Sequence, residues 1–412
     1  MKQIIFSVCL FMSILLAGCK QVKAETPEPE YAEATPYATA TTTDATIDEP
    51  SATAPISHTT NIPNDKGKTK IQVAILLDTS SSMDGLIEQA KSRLWNIVNT
   101  LTTLKLKGKE PVLEIALYEY GNNNIYNDEY IRQVLPLSTD LDVISQKLFA
   151  LTTLGGDEYC GAVISKATRQ LEWGKNDADI RLIYIAGNEP FTQGRIHYVE
   201  AINEALARNI FVNTIHCGGA EEGIRGMWKD GAVKGKGKYF NINHNDRVRH
   251  ISTPYDDRIT SCNIRLNATY IGYGDQGAYS KENQMVQDQN ARSISAANET
   301  ERIVSKSKSA YKNSSWDLVD LAKEDAKAVE KIADKDLPDD LQGKSKDELK
   351  ALLAQKEAER KTIQQEIETL AKQRQDYIDE EMKKQGESGD DLGKAITQSV
   401  LDIALAKGYT ME

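Results

Sequence analysis

Ile71-Gln72-Val73-Ala74-Ile75-Leu76-Leu77-Asp78-Thr79-Ser80-Ser81-Ser82 decides how this chain folds. Its first seven residues are apolar apart from Gln72 and rich in branched side chains, the pattern of a strand buried in a parallel sheet. Beyond the loop, Leu86, Ala90, Leu94, Ile97, Leu101 and Leu104 recur every three or four residues, which is a helix period. The polar loop therefore joins a buried strand to a helix, where open α/β sheets place their ligand sites. It offers one carboxylate and two hydroxyls at alternate positions: Asp78, Ser80 and Ser82. Hard oxygen donors of this kind suit Mg²⁺ or Mn²⁺ better than softer metals. The competing reading is that Asp78 caps the loop or the helix while the serines satisfy backbone groups.

The alternation continues downstream. Residues 112–118, 131–137, 181–186, 210–216 and 238–242 read as strands, and 141–150, 160–173, 196–208 and 222–229 as helices. Strands separated by helices predict an α/β fold, a doubly wound and mostly parallel sheet with helices on both faces. Past residue 245 the pattern changes. Residues 256–258 and 272–275 read as connecting structure, and helix formers then dominate. A helix begins at 315–319, where Asp317, Asp320, Glu324 and Asp325 read as its solvated face. Ser345-Lys346-Asp347-Glu348 is a capping-box pattern that starts another, running to about residue 384. Leu349, Leu352, Ile363, Leu370 and Tyr377 share its heptad seam, with Ile367 one place off. Lys356, Glu359, Glu366 and Gln373 interrupt that seam, which favours a helical hairpin or interaction arm over an unbroken coiled coil. The expected division is 1–19 leader, 20–66 linker, 67–250 α/β domain, 251–310 connection and 311–412 mainly helical region with a long helix.

Lys2 and the apolar residues 4–16 form a stretch too short to span a membrane comfortably. It ends in Leu16-Ala17-Gly18-Cys19, which resembles a bacterial lipoprotein lipobox. The resemblance implies a lipidated Cys19 as the mature N-terminus; an ordinary secretory leader containing a cysteine is the alternative. Acyl chains anchor firmly, since each buried CH₂ contributes about 0.8 kcal/mol. Lys20 rather than Asp follows, which resembles outer-membrane sorting in a two-membrane bacterium. The expected place is thus the bacterial cell envelope, anchored by lipid. Residues 20–66, rich in Thr, Ala, Pro and Glu, lack the apolar content to offset ordering entropy and read as a disordered tether. A net charge of −11 leaves no basic surplus for nucleic-acid phosphates. Cys160, Cys217 and Cys262 remain for an oxidising compartment, enough for one disulfide and a spare thiol. Cys160–Cys217 is the preferred pair, both being expected at the ligand-bearing edge; unbridged buried thiols are the alternative.

The β/α order together with Asp78-x-Ser80-x-Ser82 resembles the von Willebrand factor A domain over residues 70–243. The resemblance implies a metal-ion-dependent adhesion site whose cation is often completed by a partner's acidic side chain. Leu154-Gly155-Gly156-Asp157-Glu158 occupies the place of the family's glycine-rich loop, which supplies a threonine ligand. Thr152 and Thr153 precede it, and Asp157 is the replacement when the glycines are aligned. The implied ligands are therefore Asp78, Ser80, Ser82, Thr153 and Asp157. Gly187 stands where the family carries aspartate, with Asn188 and Glu189 as substitutes, and Ser81 stands where many members carry glycine.

These readings point to a non-enzymatic, lipid-anchored module that binds a protein partner through Mg²⁺ or Mn²⁺. A structural envelope protein with a vestigial site is one alternative. A metal-dependent hydrolase, with Asp78 and Glu158 or Glu189 as acid and base around a metal-bound water, is another. No G-x-S-x-G elbow, phosphate loop or H-E-x-x-H motif is present. His197, His216, His244 and His250 match no compact zinc spacing.

Overall fold

In the computed structural model, which describes residues 67–243, 250–385 and 392–411, strand β1 (Lys70–Asp78) lies inside a six-stranded sheet. The expected leader with Cys19, the expected 20–66 linker and His244 lie outside the described residues. The chain continues through α1 (Asp84–Leu101), β2 (Leu104–Leu106), β3 (Val112–Tyr120), β4 (Ile131–Ser138), α2 (Leu141–Phe149) and α3 (Cys160–Gln170). Then come β5 (Ile180–Gly187), α4 (Tyr198–Ala207), β6 (Phe211–Cys217), α5 (Ala220–Arg225), α6 (Trp228–Lys234) and β7 (Lys236–Ile242).

The strand order is β4-β3-β1-β5-β6-β7, parallel throughout except for the antiparallel edge strand β4. From β1 the chain winds outward to β3 on one side and later returns to β5 on the other. The carboxyl ends of β1 and β5 therefore flank a topological switch point, the place where open α/β sheets bind ligands. Asp78 is the last residue of β1 and Gly187 the last of β5. The central strands β1, β3, β5 and β6 are mostly apolar because both of their faces are covered. Val73, Leu77, Leu182 and Tyr184 pack with α1 and α2 on one face, whereas Ala74, Leu76, Ile183 and Ile185 pack with α3 and α4 on the other.

One helix ends earlier than its periodicity suggests. The hydroxyls of Thr102 and Thr103 donate to the carbonyls of Asn99 and Thr100, closing α1 at Leu101. Leu104 then opens β2, outside the helix whose period it shares.

The C-terminal part contains α7 (Asp256–Asn267), α8 (Gly274–Ile294), α9 (Ala296–Ser307), α10 (Leu318–Glu324), α11 (Ala326–Val329), α12 (Lys346–Gln385), α13 (Leu392–Ala406) and β8 (Tyr409–Met411). Residues 256–258 begin a helix rather than a connection, because Asp256 accepts from the amide and hydroxyl of Thr253 and from Arg374. Ile259, Ile303, Trp316, Ile363, Ile367 and Val400 share one apolar core with Ile71 and Leu77. The 40-residue α12 is fastened along its length by two buried arginines. Arg360 Nη1 lies 2.7 Å from both Asp317 Oδ2 and Asp320 Oδ1, and its guanidinium stacks 3.9 Å over the Tyr270 ring. Asp317 and Asp320 thus face inward, against the expectation of a solvated helix face, because a cation on another helix compensates them. β8 pairs antiparallel with β2, Leu106 opposite Tyr409, so the end of the chain is tied to the loop after α1. Among the described residues, no helix is long and apolar enough to cross a membrane.

Candidate functional site

Three loops meet at this end of the sheet. The first leaves β1, where Thr79 N donates to Tyr120 O, still in sheet register, before the chain turns so that Met83 N meets Ser80 O. Asp78 sits at this turn, fully buried, and its Oδ1 accepts from Ser80 N at 2.7 Å. That bond is the loop-capping role expected of an aspartate at a turn. It uses only one of the two carboxylate oxygens: Oδ2 is buried with no hydrogen-bond partner. Ser80 and Ser82 bring their hydroxyl oxygens within 3.2 Å of each other, and Ser82 donates to Asn188 Oδ1 at 3.4 Å.

The second loop runs from Leu151 to Tyr159. Leu154 N donates to Thr79 O, Asn123 N to Gly155 O, and the Asn122 side-chain amide to Thr152 O, which sews this loop to the ends of β1 and β3. A Cβ on Gly156 would lie 2.9 Å from Gly121 O, so the loop approaches the β3 end backbone to backbone. In this register Asp157 turns outward and accepts from the Tyr159 hydroxyl at 3.0 Å. Thr153 donates to Asp84 Oδ1. Glu158 turns inward instead, 5% exposed, with its amide donating to Gln193 Oε1 at 2.9 Å. A Cβ on Gly121, which has φ +77°, would stand 2.7 Å from Glu158 Cγ and 3.0 Å from Asp78 Oδ1, so the two acids converge over this glycine.

The structure thus brings Asp78, Ser80 and Ser82 together, and places Thr153 and Asp157 against other partners. Glu158, read from sequence only as an acid/base group of the hydrolase alternative, takes the inward position. No periodicity distinguishes Asp157 from Glu158; only the close glycine contact behind them does.

Electrostatics makes this pair unusual. Burial pushes Asp78 up to about 6, against the pull of its bonds to Glu158 and Ser80. Burial pushes Glu158 up to about 9, reinforced by its contact with and repulsion from Asp78. With both groups ionised neither has a proton to give the other, and Asp78 Oδ2 and Glu158 Oε2 are then unmet. Either a proton between them or a cation satisfies both. The donor set of carboxylate and hydroxyl oxygens fits a hard divalent cation. Groups of three or more His, Cys, Asp or Glu suited to a metal are absent among the described residues, and here half the donors are serines.

The third loop follows β5. A Cβ at Gly187 would meet Tyr120 Oη at 2.5 Å and Asp78 Oδ2 at 3.1 Å, so the aspartate that the resemblance implies would press on both at this position. The Tyr120 hydroxyl, donating to Ala186 O at 2.9 Å, fills that space. Of the two proposed substitutes, Asn188 reaches Ser82, and Glu189 adds repulsion that raises Asp78 and Glu158 further.

The expected Cys160–Cys217 disulfide is absent: Cys160, Cys217 and Cys262 are all free and buried. Cys160 starts α3 and lies 3.9 Å from Tyr120 Oη, whereas Cys217 belongs to the apolar core on the opposite face of the sheet. Both come from the expected edge, but the sheet separates them. The histidines are likewise dispersed: His197 caps α4, and His216 Nδ1 lies 2.9 Å from Asn241 Oδ1.

A doubly wound sheet with one antiparallel edge and a D-x-S-x-S corner at its switch point decides the fold. The α/β part has the von Willebrand factor A fold. Solved structures similar to it include BatB from Bacteroides thetaiotaomicron, 20% identical, with 42% of this chain and 90% of that chain covered at a TM-score of 0.33. An aerotolerance-related membrane protein from Bacteroides fragilis is 18% identical, with 42% and 93% covered and a TM-score of 0.31. The SpRpn10 VWA domain is 16% identical, with 42% and 88% covered and a TM-score of 0.33. No family model and no curated protein matches the chain.

Proposed function

We propose that this chain is a non-catalytic protein-interaction module that holds Mg²⁺ or Mn²⁺ at Asp78, Ser80 and Ser82. The observation that carries the reading is the unmet, buried Oδ2 of Asp78, set beside two serine hydroxyls at the switch point. A bound cation would supply the positive charge that this corner lacks and fix the three loops against one another. The chain's own residues do the rest. Ser80 N orients Asp78, and the loops flanking the corner carry the exposed side chains Tyr126 (95%) and Leu154 (42%) as contact groups for a partner. The lipobox-like leader supports an anchor at Cys19 in the bacterial cell envelope, in the outer membrane where two membranes exist, with residues 20–66 as the spacer.

Calorimetric titration of the full chain with Mg²⁺ and Mn²⁺ tests the cation. Heat of binding that is lost in Asp78→Ala, together with EDTA-sensitive capture of a partner from envelope extract, is the expected result. No heat beyond buffer controls overturns the cation. Cys19→Ser should release the protein from the membrane fraction, and retention there would refute the anchor.

One observation favours a second reading, a structural domain with a vestigial corner. A single proton shared by Asp78 and Glu158 meets the same two oxygens, consistent with their raised affinities for protons. Titration separates the two readings directly.

A further inference from the structure

We propose that Glu158 is itself a ligand of the cation and closes the site from within the chain, so that no partner carboxylate is needed. The inference rests on the cation reading above and deepens it. Three observations carry it. Glu158 is 5% exposed, and its Oε2 is buried without a partner, facing a corner that already holds the unmet Oδ2 of Asp78. Gly121 and Gly156 are both spaces that any Cβ would obstruct, and together they allow Glu158 to reach Asp78. Finally, a Cβ at Gly187 would meet Tyr120 Oη and Asp78 Oδ2, so the end of β5 sends no side chain into the corner, and Glu158 is the acid that stands beside Asp78.

The charge count then bears on the partner. Asp78 and Glu158 together carry two negative charges, matching a divalent cation. A partner's carboxylate would add a third negative charge to a neutral centre while losing its own hydration, which is unfavourable. The cation therefore stiffens the loops around Asp78 and Leu154, and a partner is recognised by the neutral and apolar groups of those loops.

The test is Mn²⁺ calorimetry on the full chain, comparing the parent with Glu158→Gln and Asp157→Asn. Loss of an outer-shell group typically weakens a metal by about 10–100-fold. Removal of a charged ligand is therefore expected to weaken Mn²⁺ by at least about 100-fold in Glu158→Gln, with Asp157→Asn within about threefold of the parent. Parent binding that Glu158→Gln retains within about threefold overturns the role of Glu158 and leaves the cation reading intact. A parent that binds no Mn²⁺ overturns both. Thermal unfolding in EDTA guards against a folding defect: Glu158→Gln should unfold no lower than the parent, because it removes one of two unmet carboxylates. A Glu158→Gln that unfolds lower in EDTA would show that the side chain serves the apo fold, and would overturn the ligand role.

Discussion

Around Arg302, two acids and two bases cancel one another in a space closed to water; around Asp78, two acids meet with no base of the chain's own. In the first cluster Arg302 pairs with Asp142 at 2.5 Å and Asp288 at 3.1 Å, and Lys306 pairs with Asp288 at 2.8 Å. The Arg302 guanidinium also lies 4.5 Å over the Trp95 ring, and Tyr311 donates to Asp142 Oδ2 at 2.6 Å. The cluster bolts α8 and α9 onto α1 and α2. It is buried like the Asp78 corner, but each of its four charged side chains faces one of opposite sign. Buried ions are costly unless paired. A buried cluster that pairs itself is therefore a fastening, and one that leaves its acids unpaired needs a proton or a cation from outside.

Removing the guanidinium should produce the largest effect. Arg302→Met strands Asp142 without its ion-pair partner and leaves Asp288 to Lys306 alone, and is expected to cost about 3–5 kcal/mol in urea unfolding. The loss should be the same with Mg²⁺ or EDTA, since the cluster is self-contained. A loss below about 1 kcal/mol would show that water or rearrangement replaces the cation, and the contrast with Asp78 would weaken.

The two clusters should also respond to pH with opposite sign. Asp78 and Glu158 bind protons more tightly folded than unfolded. In EDTA, stability is therefore full below the ordinary carboxylate range and declines as pH rises through about 6 towards about 9. For Asp78 alone this amounts to on the order of 3 kcal/mol. Burial works against ionisation of Asp288, but Lys306 and Arg302 outweigh it and hold that carboxyl well below its usual range. Its contribution is present above that range and is lost as pH falls. Saturating Mg²⁺ should flatten the alkaline decline and leave the acid one unchanged. An alkaline decline that persists with Mg²⁺ would remove Asp78 and Glu158 as its source.

Much of this was legible in the sequence where the signal is local. The apolar run 71–77 and the periodic helices yield the sheet, and Asp78, Ser80 and Ser82 sit where a switch point requires. What escaped reading depends on distant partners. Asp317 looks like a solvated acid until Arg360, 43 residues later, is folded against it. Leu104 looks helical until β8 arrives from the end of the chain. Cys160 and Cys217 look like a pair until the sheet stands between them. Glu158 and Asp157 are neighbours of the same chemistry, and only the backbone contact at Gly156 selects which one turns inward.

Gly187→Ala sharpens the account of the corner. Its Cβ would press on Tyr120 Oη at 2.5 Å and on Asp78 Oδ2, so overpacking of about 1–3 kcal/mol is expected, with weakened Mn²⁺ binding. An alanine accepted without loss would mean that Tyr120 gives way, and that the absence of an aspartate here is not steric.

The smallest effect should come from the residue beside the one that matters. Asp157 accepts a hydrogen bond from Tyr159 at the exposed rim, so Asp157→Asn should change unfolding free energy by less than about 0.5 kcal/mol. Its pH profile in EDTA should overlay that of the parent, because the raised proton affinities belong to Asp78 and Glu158. Glu158→Gln, one position on, should remove much of the alkaline decline. The two substitutions make the same chemical change at adjacent positions, and differ only in whether the carboxylate faces water or Asp78. If Asp157→Asn also flattened the alkaline profile, the loop would be free to present either acid to the corner, and the register set by Gly121 and Gly156 would not be the determinant.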